Sequence, residues 1–265
     1  MRVNDYFATA RERYRIKQKK ELGKPWPWTE DKIFQTWNFC NVHREDDRTT
    51  VWFKENIRNN SKNVVLATFI FRLFNKIETG EIIKDLLVED KWETTEAYNR
   101  LKDVKPLVTG SYVNLRSLSV ILDTIEQSRE PLKKAEKFWG SYLETAYEDL
   151  QKLPTIGKFM AYEIVTDLRH TPVLYKARDV NTWANLGPGS SRGLEEVAGQ
   201  KITSKKKMAL MRDLLQLSRD KKYWPQEFKY WELREAEHWA CEFYKYSKVQ
   251  KGFRQKRRYN APKQG

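Results

Sequence analysis

From Val64 to Ile83 the chain reads VVLATFIFRLFNKIETGEII. Leu66, Phe69, Ile70, Leu73, Phe74 and Ile77 recur there at the three-and-four spacing that gathers apolar side chains on one side of a helix. A run this apolar predicts one helix buried at the centre of a helical protein. Strand signals are weak throughout, so the expected fold class is all-α. At 265 residues the chain has room for one large domain or two small ones. Its 40% hydrophobic content supplies a core and excludes disorder throughout.

Helical patterns recur on both sides of this run. Residues 1–22 read as a basic amphipathic helix ended by Gly23, Pro25 and Pro27. Thr29 and Asp31 are candidate caps for a helix over IFQTWNFCNVH. Further helices are expected over 49–58, 84–103 and SLSVILDTIEQ, with a looser stretch around Thr109–Asn114. Others are expected over EKFWGSYLETAYEDLQKL, KFMAYEIVTDLRH, 205–219 and from Gln226 to Lys248, while 185–193 (NLGPGSSRG) reads as a loop.

Charge narrows the partners. Fifty Lys and Arg stand against 36 Asp and Glu, a net +14, which points to a polyanion and most simply to nucleic acid. Two cysteines exclude a disulfide scaffold and a four-cysteine iron–sulfur site. No run is long and apolar enough for a membrane span, and no short apolar signal core opens the chain. A soluble, cytoplasmic monomer in a bacterial cell, host- or phage-encoded, is the expectation.

The segment Leu153-Pro154-Thr155-Ile156-Gly157-Lys158 predicts a tight hairpin between two helices. Free backbone N–H groups beside the positive end of the second helix suit a DNA phosphate, with Thr155, Gly157 and Lys158 as contacts. An ordinary helix–helix turn is the alternative. Asp179 follows Gly157 by twenty-two positions, in Arg178-Asp179-Val180-Asn181-Thr182-Trp183. Together these resemble the helix-hairpin-helix DNA glycosylases, most closely over 140–185. That resemblance implies two helical halves with a cleft between them and Asp179 as the catalytic carboxylate. Asp179 can equally be the cap of a helix beginning at Val180. The position aligned with the lyase-type lysine is Phe159, which implies a monofunctional enzyme.

Longer strings carry a narrower likeness. They are Pro27-Trp28-Thr29; Phe39-Cys40-Asn41-Val42 with Arg44-Glu45 and Asp47-Arg48; Phe71-Arg72-Leu73-Phe74-Asn75; Tyr162 to Arg169; Thr182-Trp183-Ala184-Asn185; and Arg234-Glu235 through His238 to Phe243. These resemble the α-glutamyl/putrescinyl-thymine pyrophosphorylase group, also called amino acid:DNA transferases or the helical domain of 5-hydroxymethyluracil DNA kinases. The resemblance implies action on an extruded, modified pyrimidine in double-stranded DNA. The word "kinase" does not carry over on motif grounds, because the chain has no G-x-x-x-x-G-K-[ST] loop. The organisation then reads as a basic N-terminal helix (1–24), a glycosylase-like helical domain (25–248, hairpin 153–158) and a basic tail (249–265).

Within that frame the expected base pocket comprises Arg44, Glu45, Asp47, Arg72, Asn75, Asn181, Trp183, Asn185 and His238. Each has a plainer reading. The charges at 44–48 can be surface pairs, Arg72 and Asn75 the edge of a core helix, and Trp183 a core ring. Arg192, in a loop able to cradle a phosphate, joins Lys256, Arg257 and Arg258 of a flexible tail as further phosphate contacts. Glu235, His238 and Glu242 share a helix face. The pairs Cys40-x-x-His43 and His238-x-x-Cys241 form a zinc site only if their two helices meet, so no metal or other cofactor is assigned.

Three functions follow. The first is a glycosylase that excises a hypermodified pyrimidine and leaves an abasic site, a device suited to antiviral defence. The alternative is a transferase that displaces pyrophosphate from activated 5-hydroxymethyluracil. The third is a non-catalytic reader of modified DNA.

Overall fold

The computed structural model describes residues 1–109, 117–255 and 257–260. Among them the secondary structure is helical, with twelve α-helices and one isolated β-bridge, between Trp37 and Arg258. No helix is long and apolar enough to cross a membrane. The chain divides into two compact units, residues 1–47 with 184–265, and residues 48–183. The expected loose stretch at Thr109–Asn114 lies, after Thr109, outside the described residues, as does Lys256.

The first unit holds α1 (Val3–Glu21), α2 (Lys32–Thr36), α10 (Pro188–Ala198), α11 (Ser204–Leu217) and α12 (Leu233–Gln250). α1 and α12 are joined by bonds in both directions. Tyr6 Oη donates to the Ala236 carbonyl at 2.9 Å, and Trp239 Nε1 donates to the Tyr6 carbonyl at 3.0 Å. Tyr6, Phe7, Trp231 and Phe243 interlock around these bonds, mostly edge to face. Much of the chain's aromatic content is therefore core.

Several expected boundaries move. Asp31 does cap α2, accepting from the Ile33 and Phe34 amides, but the helix ends at Thr36 and the chain runs extended at Trp37. Cys40 and His43 thus lie outside any α-helix. The glycine-rich 185–193 segment is not a free loop, because α10 begins at Pro188, where proline's fixed φ suits a first helical turn. A Cβ on Gly193 would stand 1.8 Å from the Ala240 carbonyl oxygen, so these small residues let α10 lie against α12. Nor is the C-terminal segment a loose clamp. Asn38 N–H donates to the Arg257 carbonyl, Tyr259 N–H donates to Thr36, and Tyr259 stacks on Trp26.

The second unit holds α3 (Arg48–Phe53), which continues as a π-helical turn (Lys54–Arg58). With it are α4 (Val64–Phe74), α5 (Ile77–Val88), α6 (Thr94–Leu101), α7 (Leu118–Ala135), α8 (Leu143–Leu150) and α9 (Lys158–Leu168). The central apolar run is buried as expected, yet it is two helices. Asn75 adopts φ 47°, ends α4 in the left-handed region, and turns the chain into α5. Gly140, at φ 55°, similarly separates the turn at Glu136–Phe138 from α8.

Candidate functional site

In the second unit most of the expected pocket is committed to structure. Arg72 is buried and forked onto Asp167, with Nη2 2.8 Å from Oδ1 and Nε bonded to Oδ2. Its other donors reach Asn75 Oδ1 and Thr50 Oγ1. Arg72 therefore spends its donors inside a buried network in which Asn75 Oδ1 is one acceptor. Trp183, half-buried, packs against Tyr147 and Tyr162 at ring separations of 5.1 and 5.7 Å. Asn181 is exposed on the turn just before Trp183.

Asp179 is buried, and both oxygens are taken by the first turn of α8. Oδ1 accepts from Leu143 N–H at 2.8 Å and Oδ2 from Glu144 N–H at 3.0 Å. The carboxylate expected beside a sugar instead caps a helix across thirty-six residues of sequence. Asp179→Ala should cost about 1–2 kcal/mol in urea unfolding. A loss of activity with no loss of stability would contradict this assignment.

The hairpin is present. α8 and α9 are joined by a turn in which Thr155 has φ 62°, and Gly157 and Lys158 are exposed at the head of α9. Thr155 Oγ1 lies 2.8 Å from Thr124 Oγ1.

Polar side chains converge in the first unit, where strings two hundred residues apart in sequence meet. Glu242, buried on α12, accepts from the Cys40 amide at 3.0 Å and from Lys245 Nζ at 2.5 Å. His238, one turn earlier, donates from Nε2 to the Asn41 carbonyl at 3.1 Å. The Asn41 amide donates to Asp47 Oδ1 at 2.8 Å. Cys40, Asp47 and His238 are each half-buried, and their ligand atoms lie within 4.8 Å of one another. Arg13, from α1, donates to the Phe39 carbonyl and leaves Nη1 buried without a partner. Arg44 and Glu45 sit on the short turn of this same segment, Arg44 buried and Glu45 half-buried.

The electrostatics are those of a largely buried polar cluster. Burial, reinforced by the charge on Arg234, pushes His238 down to about 3, so its imidazole is neutral. Burial lifts Asp47 to about 6 against the pull of the Asn41 amide and Arg13. Burial and Glu242 raise the Cys40 thiol well above its ordinary value. Burial opposes ionisation of Glu242 as well, but the charge and hydrogen bond of Lys245, with the Cys40 amide, outweigh it and hold the carboxyl below the usual range.

The symmetric four-residue zinc arrangement does not form. His43 Nε2 pairs with the Tyr230 carbonyl at 3.1 Å, and a Cβ on Gly189 would stand 2.4 Å from Cys241 Sγ. Glu235 is occupied in the capping box of α12. Asn185 is half-buried, while Arg192 is exposed and reaches over the Tyr244 ring. Arg258 lies over Trp37. Arg13, Asn41 and Lys245 are absent from the sequence-based pocket. Arg13 is hidden among the many cations of α1, and a separation of about two hundred residues gives no local signal for the others.

The family model described as "5-hmdU DNA kinase, helical domain" matches residues 1–255. A 5-hmdU DNA kinase of Bacillus phage SP10 is 29% identical over 286 aligned positions, covering 91% of this chain and 44% of the relative. The chain thus spans less than half the length of that curated relative. No solved structure matches. The family match and the phage relative overturn the expectation of a monofunctional glycosylase leaving an abasic site. The name those matches carry, 5-hmdU DNA kinase, stands nearer the transferase alternative.

Proposed function

The chain belongs to the family of 5-hmdU DNA kinase helical domains, and from that premise we propose that it engages DNA carrying 5-hydroxymethyluracil and presents the hydroxymethyl group for phosphoryl transfer. The polar cluster of the first unit carries this reading. A pyrimidine with one extra hydroxyl calls for hydrogen-bonding groups aimed at that hydroxyl, and a phosphorylated product calls for cations nearby. Cys40, Asp47 and His238 supply the first, and Arg13, with its unpartnered Nη1, and Lys245 supply the second. The net charge of +14 supports DNA as the partner.

Phosphate contacts belong to other residues. Gly157 and Lys158 offer an amide-lined helix start, and Arg192, Arg257 and Arg258 are exposed cations able to track the backbone. These contacts set affinity and its salt dependence without reading the base.

Fluorescence anisotropy on duplexes that differ at one thymine tests the reading. The duplex with 5-hydroxymethyluracil should bind about 10- to 100-fold more tightly, the worth of one or two hydrogen bonds to charged groups. Lys158→Ala should weaken both duplexes alike and flatten the salt dependence by about one phosphate contact. Equal affinity for the two duplexes would remove the basis of the proposal. Labelled ATP in the same mixtures shows whether phosphate reaches the modified strand. Supplying an amine and a pyrophosphorylated base tests the transferase reading, which the same pairing of cations with a carboxylate also suits.

A further inference from the structure

Cys40, Asp47 and His238 have the donor chemistry of a transition-metal site. A thiol, a carboxyl group and an imidazole, all half-buried, bring their ligand atoms within 4.8 Å of one another. Around zinc, with bonds of about 2.0–2.3 Å, such atoms stand about 3.3–3.8 Å apart, so small side-chain rotations close the site. Asn41 orients two of the three. Its carbonyl can only accept, so His238 must donate from Nε2 and leave the Nδ1 lone pair free. Its amide occupies Asp47 Oδ1 and leaves Oδ2. A backbone group holding the far nitrogen of a histidine is the usual outer support of a metal-bound imidazole. The sulfur ligand selects zinc over magnesium. None of this depends on the His43 or Cys241 side chains.

We propose that the first unit binds one zinc ion through Cys40 Sγ, Asp47 Oδ2 and His238 Nδ1, with a fourth position open. Three protein ligands and a vacant position is the pattern of a metal that takes a substrate oxygen. Resting on the function proposed above, the open position accepts the 5-hydroxymethyl oxygen of the base and makes its proton easier to lose.

Metal content of the purified full-length chain, measured by plasma mass spectrometry, should give about one zinc per chain. Chelator-stripped wild-type protein retitrated with cobalt should show a sulfur-to-cobalt charge-transfer band and the visible bands of a four-coordinate ion. Cys40→Ser should abolish the charge-transfer band. Asp47→Asn and His238→Gln should weaken zinc binding at least about tenfold. His43→Gln should leave both signals intact. Failure of the wild-type chain to bind zinc at micromolar free metal overturns the site, as does an unchanged band in Cys40→Ser. The stripped and reloaded chains are then compared on the two duplexes. A preference for 5-hydroxymethyluracil that appears only with metal supports the open position. A preference indifferent to metal overturns that role and spares the DNA reading. Metal binding with no preference in either form overturns the DNA reading and spares the site.

Discussion

Asp167→Ala is expected to lower the unfolding free energy by about 3–5 kcal/mol, the largest loss foreseen for one side chain in the second unit. Asp167 is wholly buried and receives both forks of Arg72, with Arg58 Nη1 a further 3.8 Å away. Removing the carboxylate strands the buried Arg72 guanidinium and takes a neighbouring anion from Arg58. The cost is less the lost attraction than the stranded charge. Arg72→Met added to Asp167→Ala should therefore recover part of the loss, because it removes the stranded cation. The exposed pair Lys62–Glu89 is the control, and Glu89→Ala should leave the unfolding midpoint essentially unchanged. Urea unfolding measures all four proteins. Arg72→Met alone, followed by urea unfolding and by anisotropy on the two duplexes, decides the role of Arg72. A base-reading arginine would lose DNA selectivity and keep its stability, whereas an interior one loses stability first. A change under about 1 kcal/mol in Asp167→Ala would show that the network is not the keystone described.

What could be read from sequence was what has a period or a fixed local signature. The burial of Phe69, Ile70, Leu73 and Phe74 follows from their spacing, and the stop at Gly23 and the hairpin before Lys158 follow from glycine and proline. The break at Asn75 was invisible because its cause is a single left-handed residue inside an unbroken apolar pattern. Spacing alone misassigned Asp179 for a related reason. The distance to Gly157 is a property of the chain, while the carboxylate's partners, the Leu143 and Glu144 amides, are a property of the fold. Arg72 was ambiguous in the same way, since an arginine in an apolar helix is either a site or half of a buried pair, and only Asp167 decides. For the pocket, the strings around Cys40 and His238 marked two of its walls. Arg13 and Lys245 came only with the fold, which turns one cation of each charged helix inward.

Gly193→Ala should be as damaging in the first unit, and through the pocket rather than beside it. The added Cβ would fall 1.8 Å from the Ala240 carbonyl oxygen and 2.5 Å from its carbon, both backbone atoms that no rotamer change can move. α10 must then back away from α12, the helix carrying His238, Cys241 and Glu242. Overpacking of a tight interface costs about 1–3 kcal/mol where side chains can yield. With backbone on one side the expected loss is at the top of that range or above it. Zinc affinity and the preference for 5-hydroxymethyluracil should fall together with stability, because moving α12 carries His238 away from Cys40 and Asp47. Gly199→Ala separates this cause from a general sensitivity to substitution. Gly199 ends α10 at φ 76° with open space around its Cβ position, so alanine there meets only the left-handed penalty of about 1 kcal/mol. It should leave metal and DNA binding unchanged. Thermal unfolding, cobalt spectra and anisotropy on the three proteins complete the comparison. If Gly193→Ala kept full stability, the close approach of α10 to α12 would not be what sets the position of the pocket's histidine.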